Sequence, residues 1–433
     1  MKNITMTAYL FAIFLITQCF CQQSVRPSVV RSTLSAPPEI QRALKSISEG
    51  SEQFALDLFA RAATALKDEN THHGDFMISP FSVWSLLILM VEGASGNTLA
   101  ELQQTLRINQ NTTFIREAYQ RINTALKVNT TTVQVSTLQA LFPDRNRPVD
   151  REYEDIIERI YRADLVPINF QNSKEAANIV NDYVKTATRD LIKQLVYPED
   201  LSEAQMILIS AIFFRGQWTV PFNRSSTREE NFYGEDEKVA GKVNMMFHRG
   251  QFSYAAISQL DSHVIELPYG VENRLSMIVV VPKKGVRLFS VINKLASVGI
   301  TGILDGLQRA KQDAELYGEE MEVDLFLPRF TTDTDFALNS LLIEMGIHDL
   351  FNSQLANLGR ISSHPIYLSR LFHKTTIEVT EEGTVASAVT AGILTNKISP
   401  TKFQVNRPFA YLIVEKSTGS LLFVGQVKNP GIV

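Results

Sequence analysis

The sequence predicts an α+β protein folded as one large domain. Three observations predict it. Apolar residues recur at helical spacing through the first half of the chain, beginning near Ser51. From Ala204 onward they gather instead in short β-like runs stopped by Pro or polar turns. No internal repeat and no clear linker separates the halves, so the two kinds of element are expected to share a core.

The elements follow in order. Residues 1–21 read as a secretory leader: Lys2, an apolar run from Ala8 to Thr17, then Cys19 and Cys21 as small residues ahead of a cleavage point before Gln22. The run is shorter than the roughly 20 apolar residues that span a bilayer, and no later stretch approaches that length without charges, so no membrane association is expected. Residues 22–44 are rich in Ser, Pro, Val and Arg without a period and read as a flexible arm. Residues 45–433 form the single domain. Phe54, Leu58, Ala62, Ala65 and Leu66 share a helical stripe, and Asp75 to Pro80 breaks it. Phe81 to Glu92 is apolar enough for a buried helix, and Thr98 to Leu106 gives another. Residues 150–196 read as mostly helical, with Tyr153, Ile156, Ile157, Ile160 and Tyr161 on one face and Val180, Tyr183, Val184 and Leu191 on another. Strand runs follow at 206–214, 264–267, 276–281 and 323–327. The runs 409–414 and 421–425 flank Lys416-Ser-Thr-Gly-Ser as a hairpin of buried strands.

Composition excludes several functions. The formal charge of −4 leaves no basic footprint, so no nucleic-acid partner is expected. Both cysteines fall in the leader, so the mature chain has no disulfide, no thiolate nucleophile and no cysteine metal site. Stability must then come from the core alone, which a chain of this length can supply. Sequons at Asn111, Asn129 and Asn223 fit a secreted glycoprotein, while Asn3 lies in the leader. No Gly-x-Ser-x-Gly elbow is present, since Gly93-Ala-Ser-Gly-Asn fails at its last position. Neither a phosphate-binding Gly-x-x-x-x-Gly-Lys-Ser/Thr loop nor a His-Glu-x-x-His helix occurs. The His72-His73 pair and the Glu319-Glu-Met-Glu cluster read as solvated loops. With no convergent catalytic set in view, an enzyme is not expected, although sequence leaves a dispersed triad open.

The informative stretch runs from Thr376 to Phe409. A strand, Thr376-Ile-Glu-Val, leads into Glu381-Glu-Gly-Thr-Val-Ala-Ser-Ala, and a segment with few large side chains extends from Gly383 to Lys402. So long a loop in a compact domain is usually functional or disordered. Thr384, Ala386, Ala388 and Thr390 would share one strand face, and Val385, Ser387 and Val389 the other. No proline intervenes before Pro400, so this segment can enter a sheet as a central strand with every peptide donating. Gly383 supplies the backbone freedom of a hinge. A plain Ala/Ser/Thr linker fits the same composition.

Glu381-Glu-Gly-Thr-Val-Ala-Ser-Ala resembles the hinge of inhibitory serpins. His373-Lys374 and Asn406-Arg-Pro-Phe409 resemble that family's flanking signatures. Ile78-Ser-Pro-Phe-Ser82, Phe213-Phe-Arg-Gly-Gln-Trp218, Glu266-Leu-Pro-Tyr269, Leu327-Pro-Arg-Phe330 and Phe423-Val-Gly-Gln-Val-Lys-Asn-Pro430 are similar in the same order, over residues 50–430. The resemblance implies three β-sheets with about nine helices, an exposed reactive-centre loop over about residues 383–402, and a metastable native state. It implies a suicide substrate: a serine protease cleaves the loop, forms its acyl-enzyme, and is carried off as the loop inserts into the main sheet. Lys397 lies fourteen residues after Gly383 and twelve before Phe409, the spacing at which such inhibitors carry the scissile bond. The expected reactive bond is therefore Lys397–Ile398, and a lysine suits a trypsin-like protease. Glu381, Gly383, Thr384, Ala386, Ser387 and Ala388 match the loop hinge. Ser79, Ser82, Ser210, Trp218, Arg329 and His373 match the control of sheet opening, with Ser210 standing where the family usually has asparagine. Arg329 and Glu381 match an ion pair at the top of the sheet. Residues 114–128 hold only Arg116, Arg121 and Lys127, so no glycosaminoglycan or other cofactor is expected. The chain is expected to act as a monomer. Extracellular immune cascades of the melanisation or Toll type are the suggested setting, and a non-inhibitory carrier or chaperone of the same family is the alternative.

Overall fold

The computed structural model describes residues 37–66, 74–108, 111–188, 190, 192–318, 321–383 and 400–431. The expected leader, most of the expected arm, the His72-His73 pair and the loop from Thr384 to Ser399 lie outside them.

Eight α-helical segments occur among the described residues: α1 (Pro38–Ala65), α2 (Pro80–Gly93), α3 (Gly96–Leu106), α4 (Thr112–Leu126), α5 (Arg151–Ile156), α6 (Ser173–Ala187), α7 (Leu288–Tyr317) and α8 (Asn339–Glu344). α5 continues as a wider turn through Tyr161. α7 is two helices across a break at Gly299, where φ is 67°, which brings the number to nine. α1 corrects the expected arm, because residues 38–44 are helical. Pro38 sits at the first helical position, where a proline costs no hydrogen bond. Ile40, Ala43 and Ile47 carry the buried stripe upstream of Phe54 at helical spacing. α2 is buried along its whole length, as its apolar sequence requires.

Among the described residues, fifteen strands form three sheets. The five-stranded sheet runs in the order β11 (Phe330–Ala337), β12 (Arg370–Val379), β4 (Met206–Gly216), β2 (Val133–Pro143) and β3 (Asp164–Leu165). The six-stranded sheet runs β1 (Phe76–Ile78), β15 (Ser420–Val427), β14 (Phe409–Glu415), β9 (Leu275–Pro282), β8 (Ser262–Tyr269) and β7 (Tyr254–Ile257). The four-stranded sheet runs β13 (Thr401–Gln404), β10 (Glu322–Pro328), β6 (Val239–Gln251) and β5 (Arg228–Tyr233). β14 and β15 are the expected hairpin and are buried throughout. Residues 150–196 are less helical than expected, since residues 192–197 form no helix.

One pairing matters most for function. β12 and β4 run parallel, from Arg370 opposite Ile207 to Thr376 opposite Phe213. The ladder stops there, although β12 continues to Val379 and β4 to Gly216. Beyond β12 the chain turns at Thr380–Gly383, where the loop departs, and it returns at β13 in a different sheet.

Candidate functional site

Two groups of side chains hold β12 against β4, one in the middle of the sheet and one at its end. The first is centred on His373, which is fully buried on β12 and lies directly opposite Ser210 of β4. The Ser79 backbone N–H, at the entry to α2, donates to His373 Nε2 at 2.8 Å. A backbone N–H can only donate, so Nε2 is unprotonated and the proton sits on Nδ1. Nδ1 then donates to Ser210 Oγ at 3.2 Å, Ser210 donates to Ser82 Oγ at 2.7 Å, and Ser82 donates to the Ser79 carbonyl at 2.9 Å. The circuit begins and ends on the Ser79 backbone. Ser210 can link the ring to Ser82 because a hydroxyl both accepts and donates. Ser79 takes part through its main chain, and its own hydroxyl has no hydrogen-bond partner. The His373–Ser210 bond crosses from β12 to β4, so any strand entering between them must break it.

Burial drives the His373 pKa down to about 3 from an ordinary 6.5. Above pH 6.5 the ring is neutral folded and unfolded, and its contribution to stability is complete. Below that pH the unfolded chain binds a proton that the folded chain refuses. Stability should therefore fall by about 1.4 kcal/mol per pH unit from this group down to about pH 3. Denaturant midpoints of the wild type and His373→Gln, measured at pH 7 and pH 5, check this. The wild type should lose more stability than the variant, and equal losses would refute the assignment.

The second group closes the end of the sheet. Arg329, between β10 and β11, holds the Glu381 carboxylate through Nε at 2.8 and 2.9 Å and through a terminal nitrogen at 2.6 Å. Glu381 is 1% exposed. Thr227 adds a hydroxyl donor to the same carboxylate. Trp218, just past β4, donates its backbone N–H to the Glu382 carbonyl at 2.9 Å and its indole N–H to the Thr380 carbonyl at 3.0 Å. Its ring stacks on Tyr269 with centroids 4.4 Å apart. It therefore serves both as core packing and as a tie to the hinge. Glu382 pairs with Arg224. Burial works to raise the Glu382 pKa, yet the bond to Arg224 and further hydrogen bonds hold it below the ordinary carboxylate range.

Gly383 is the pivot. Its φ is 129°, which disfavours any side chain. A Cβ there would lie 2.2 Å from the Gly216 carbonyl oxygen and 2.7 Å from the Trp218 nitrogen. The residue bridges Gln217 and closes the turn with Thr380.

The structure thus joins Ser82, Ser210 and His373 in one circuit, with Ser79 entering through its backbone. It places Trp218, Arg329, Glu381 and Gly383 together at the end of the sheet. Thr384, Ala386, Ser387, Ala388, Lys397 and Ile398 lie outside the described residues. Sequence reasoning missed the contacts of Arg224 and Thr227 with Glu382 and Glu381, because residues far apart in the chain carry no period that would pair them. Among the described residues no group of three His, Cys, Asp or Glu is placed to hold a metal ion.

Known proteins share this fold. The family model Serpin (serine protease inhibitor) matches residues 49–430. The human leukocyte elastase inhibitor is 31% identical, over 89% of this chain and all of its own length. Mouse antithrombin-III is 29% identical, over 92% of this chain and 85% of its own. Among solved structures, human kallistatin superposes with a TM-score of 0.76 at 25% identity, covering 90% of this chain and 99% of its own. Human thyroxine-binding globulin does so with a TM-score of 0.75 at 25% identity and the same coverage. The family model over residues 49–430 and the 31% identity to a human relative covered along its whole length place the chain in the serpin family.

Proposed function

We propose that this serpin is a secreted suicide inhibitor of a trypsin-like serine protease, baited by Lys397–Ile398. The observation that carries the reading is the parallel β4–β12 pair, whose second strand leads directly into a segment of small and β-branched residues. A strand turning back at Gly383 and entering this gap would run antiparallel to both neighbours, replacing one slanted parallel ladder by two antiparallel ones. The protease serine attacks the Lys397 carbonyl, Ile398 leaves with its amine, and Lys397 remains esterified to the enzyme. The freed segment then inserts and draws the protease along. The fifteen residues from Gly383 to Lys397 reach about 50 Å when extended.

The relationship to thyroxine-binding globulin raises the carrier alternative. From Thr384 to Ala388 the sequence has no charge, proline or aromatic residue, so every peptide there can join a sheet, which favours inhibition. Asn111, Asn129 and Asn223 are all exposed, as N-glycosylation in a secretory route requires. Within this reading the target belongs to an extracellular cascade of the melanisation or Toll type, and the inhibitor acts as a monomer.

Mixing the protein with trypsin and running a denaturing gel tests the proposal. A band at the summed mass is expected, together with a cleaved form that melts more than about 10 °C above the intact one, the shift that roughly 5–10 kcal/mol produces in a domain of this size. Clean cleavage with no such band and no gain in heat resistance would leave a carrier or chaperone.

A further inference from the structure

Resting on the inhibitory reading and going beyond it, we infer that Arg224, acting through Glu382, is a positioning residue for loop insertion: the turn at residues 222–227 clasps the hinge and sets when the split between β4 and β12 opens. The β4–β12 ladder ends at Thr376–Phe213, yet the chains meet again above it, where Trp218 N–H donates to the Glu382 carbonyl. The split is therefore closed at its mouth by Glu381, Glu382 and the single Gly383–Gln217 bridge rather than by a continued β4–β12 ladder. The turn seals that mouth from outside. Phe222 N–H donates to the Glu381 carbonyl at 2.8 Å, Thr227 donates to the Glu381 carboxylate, and Arg224 pairs with the Glu382 carboxylate.

The turn is built to present Arg224. Asn223 Oδ1 accepts from Ser225 N at 3.0 Å and from Ser225 Oγ at 2.8 Å, fixing a short helical turn. Arg228 donates to the carbonyls of Ser225 and Thr227, at 2.5 and 2.9 Å, and braces its far side. The two members of the pair differ in burial: the Glu382 side chain is 8% exposed and Arg224 is 65% exposed. Arg224 can leave for water with little loss, whereas Glu382 left behind is a desolvated charge without its cation. Releasing Arg224 therefore pushes Glu382 outward and strains the Trp218–Glu382 bond that closes the split. The better-bonded Arg329–Glu381 tie beside it holds the frame while this happens.

The test uses the full chain with Arg224→Ala, Arg224→Lys and the charge-exchanged pair Arg224→Glu with Glu382→Arg. Hydrogen exchange at the Trp218 and Phe222 amides reads the clasp directly, without any protease. In Arg224→Ala both amides should exchange at least about tenfold faster, the effect of losing one charged hydrogen bond. Arg224→Lys and the exchanged pair should recover most of the protection. The number of inhibitor molecules consumed per trypsin should fall in Arg224→Ala, because insertion gains on hydrolysis of the acyl-enzyme. Exchange within twofold of wild type in Arg224→Ala overturns the clasp, as does a charge-exchanged pair no better protected than Arg224→Ala. A protein that trypsin cuts without trapping, in every variant, overturns the inhibitory reading instead and leaves the amide result to be judged alone.

Discussion

Ala386→Pro is expected to turn the protein from an inhibitor into an ordinary trypsin substrate. In the proposed mechanism residues 384–396 become a central strand, bonded to β12 on one side and β4 on the other. Every peptide N–H of a central strand is used, and proline has none. Its ring also fixes φ near −65°, away from the extended value an antiparallel strand needs. Nothing in the first encounter involves Ala386, so trypsin should still acylate at Lys397 at its usual rate. Insertion should stall, and water should release the enzyme. The yield of the summed-mass band should drop by more than about tenfold, the effect of the roughly 3 kcal/mol or more that an interior proline costs. Titration of residual trypsin activity against added inhibitor measures it. An unchanged yield would mean that the hinge does not insert.

Lys397→Glu carries the second large effect, on the encounter itself. A trypsin-like specificity pocket holds a carboxylate that pairs with lysine. A glutamate there would set two carboxylates against each other in a desolvated pocket. The rate of trypsin inactivation should fall by at least about a thousandfold, on the scale by which sites built around a polar partner reject its mismatch. The fold should be untouched, and thermal melting of the intact variant should match the wild type. Continued trapping of trypsin by this variant would move the bait elsewhere, with Lys402 the nearest basic residue downstream.

Some of this molecule can be read from its residues directly. α2 and the β14–β15 hairpin are continuous apolar runs, and burial on all sides leaves them no other reading. β2 was not legible, because the polar residues Gln134, Ser136, Thr137 and Gln139 make its first half look like a polar loop. α7 was hidden for another reason. Gly299, Gly302 and Gly306, with several β-branched neighbours, give it poor helix propensity, and packing on α1 and β7 overrides that. In the site, Glu381, Gly383 and the buried His373 were legible through the order of short motifs along the chain, while the expected bait at Lys397–Ile398 lies outside the described residues. The partner of Glu382 was not, since only the folded chain brings Arg224 to it. Ser79 joins the circuit through its backbone, a detail that no side-chain motif encodes.

The tight seat of Gly383 has a consequence for how such a molecule can diversify. With no room for even a methyl group against Gly216 and Trp218, the origin of the segment proposed to insert is held at one point of the protein. In the proposed mechanism, distance along that segment would behave as a ruler with a fixed zero. Rewriting the residue at position 397 would change which attacker is hooked, whereas adding or deleting residues between the zero mark and the hook would change where the attacker comes to rest.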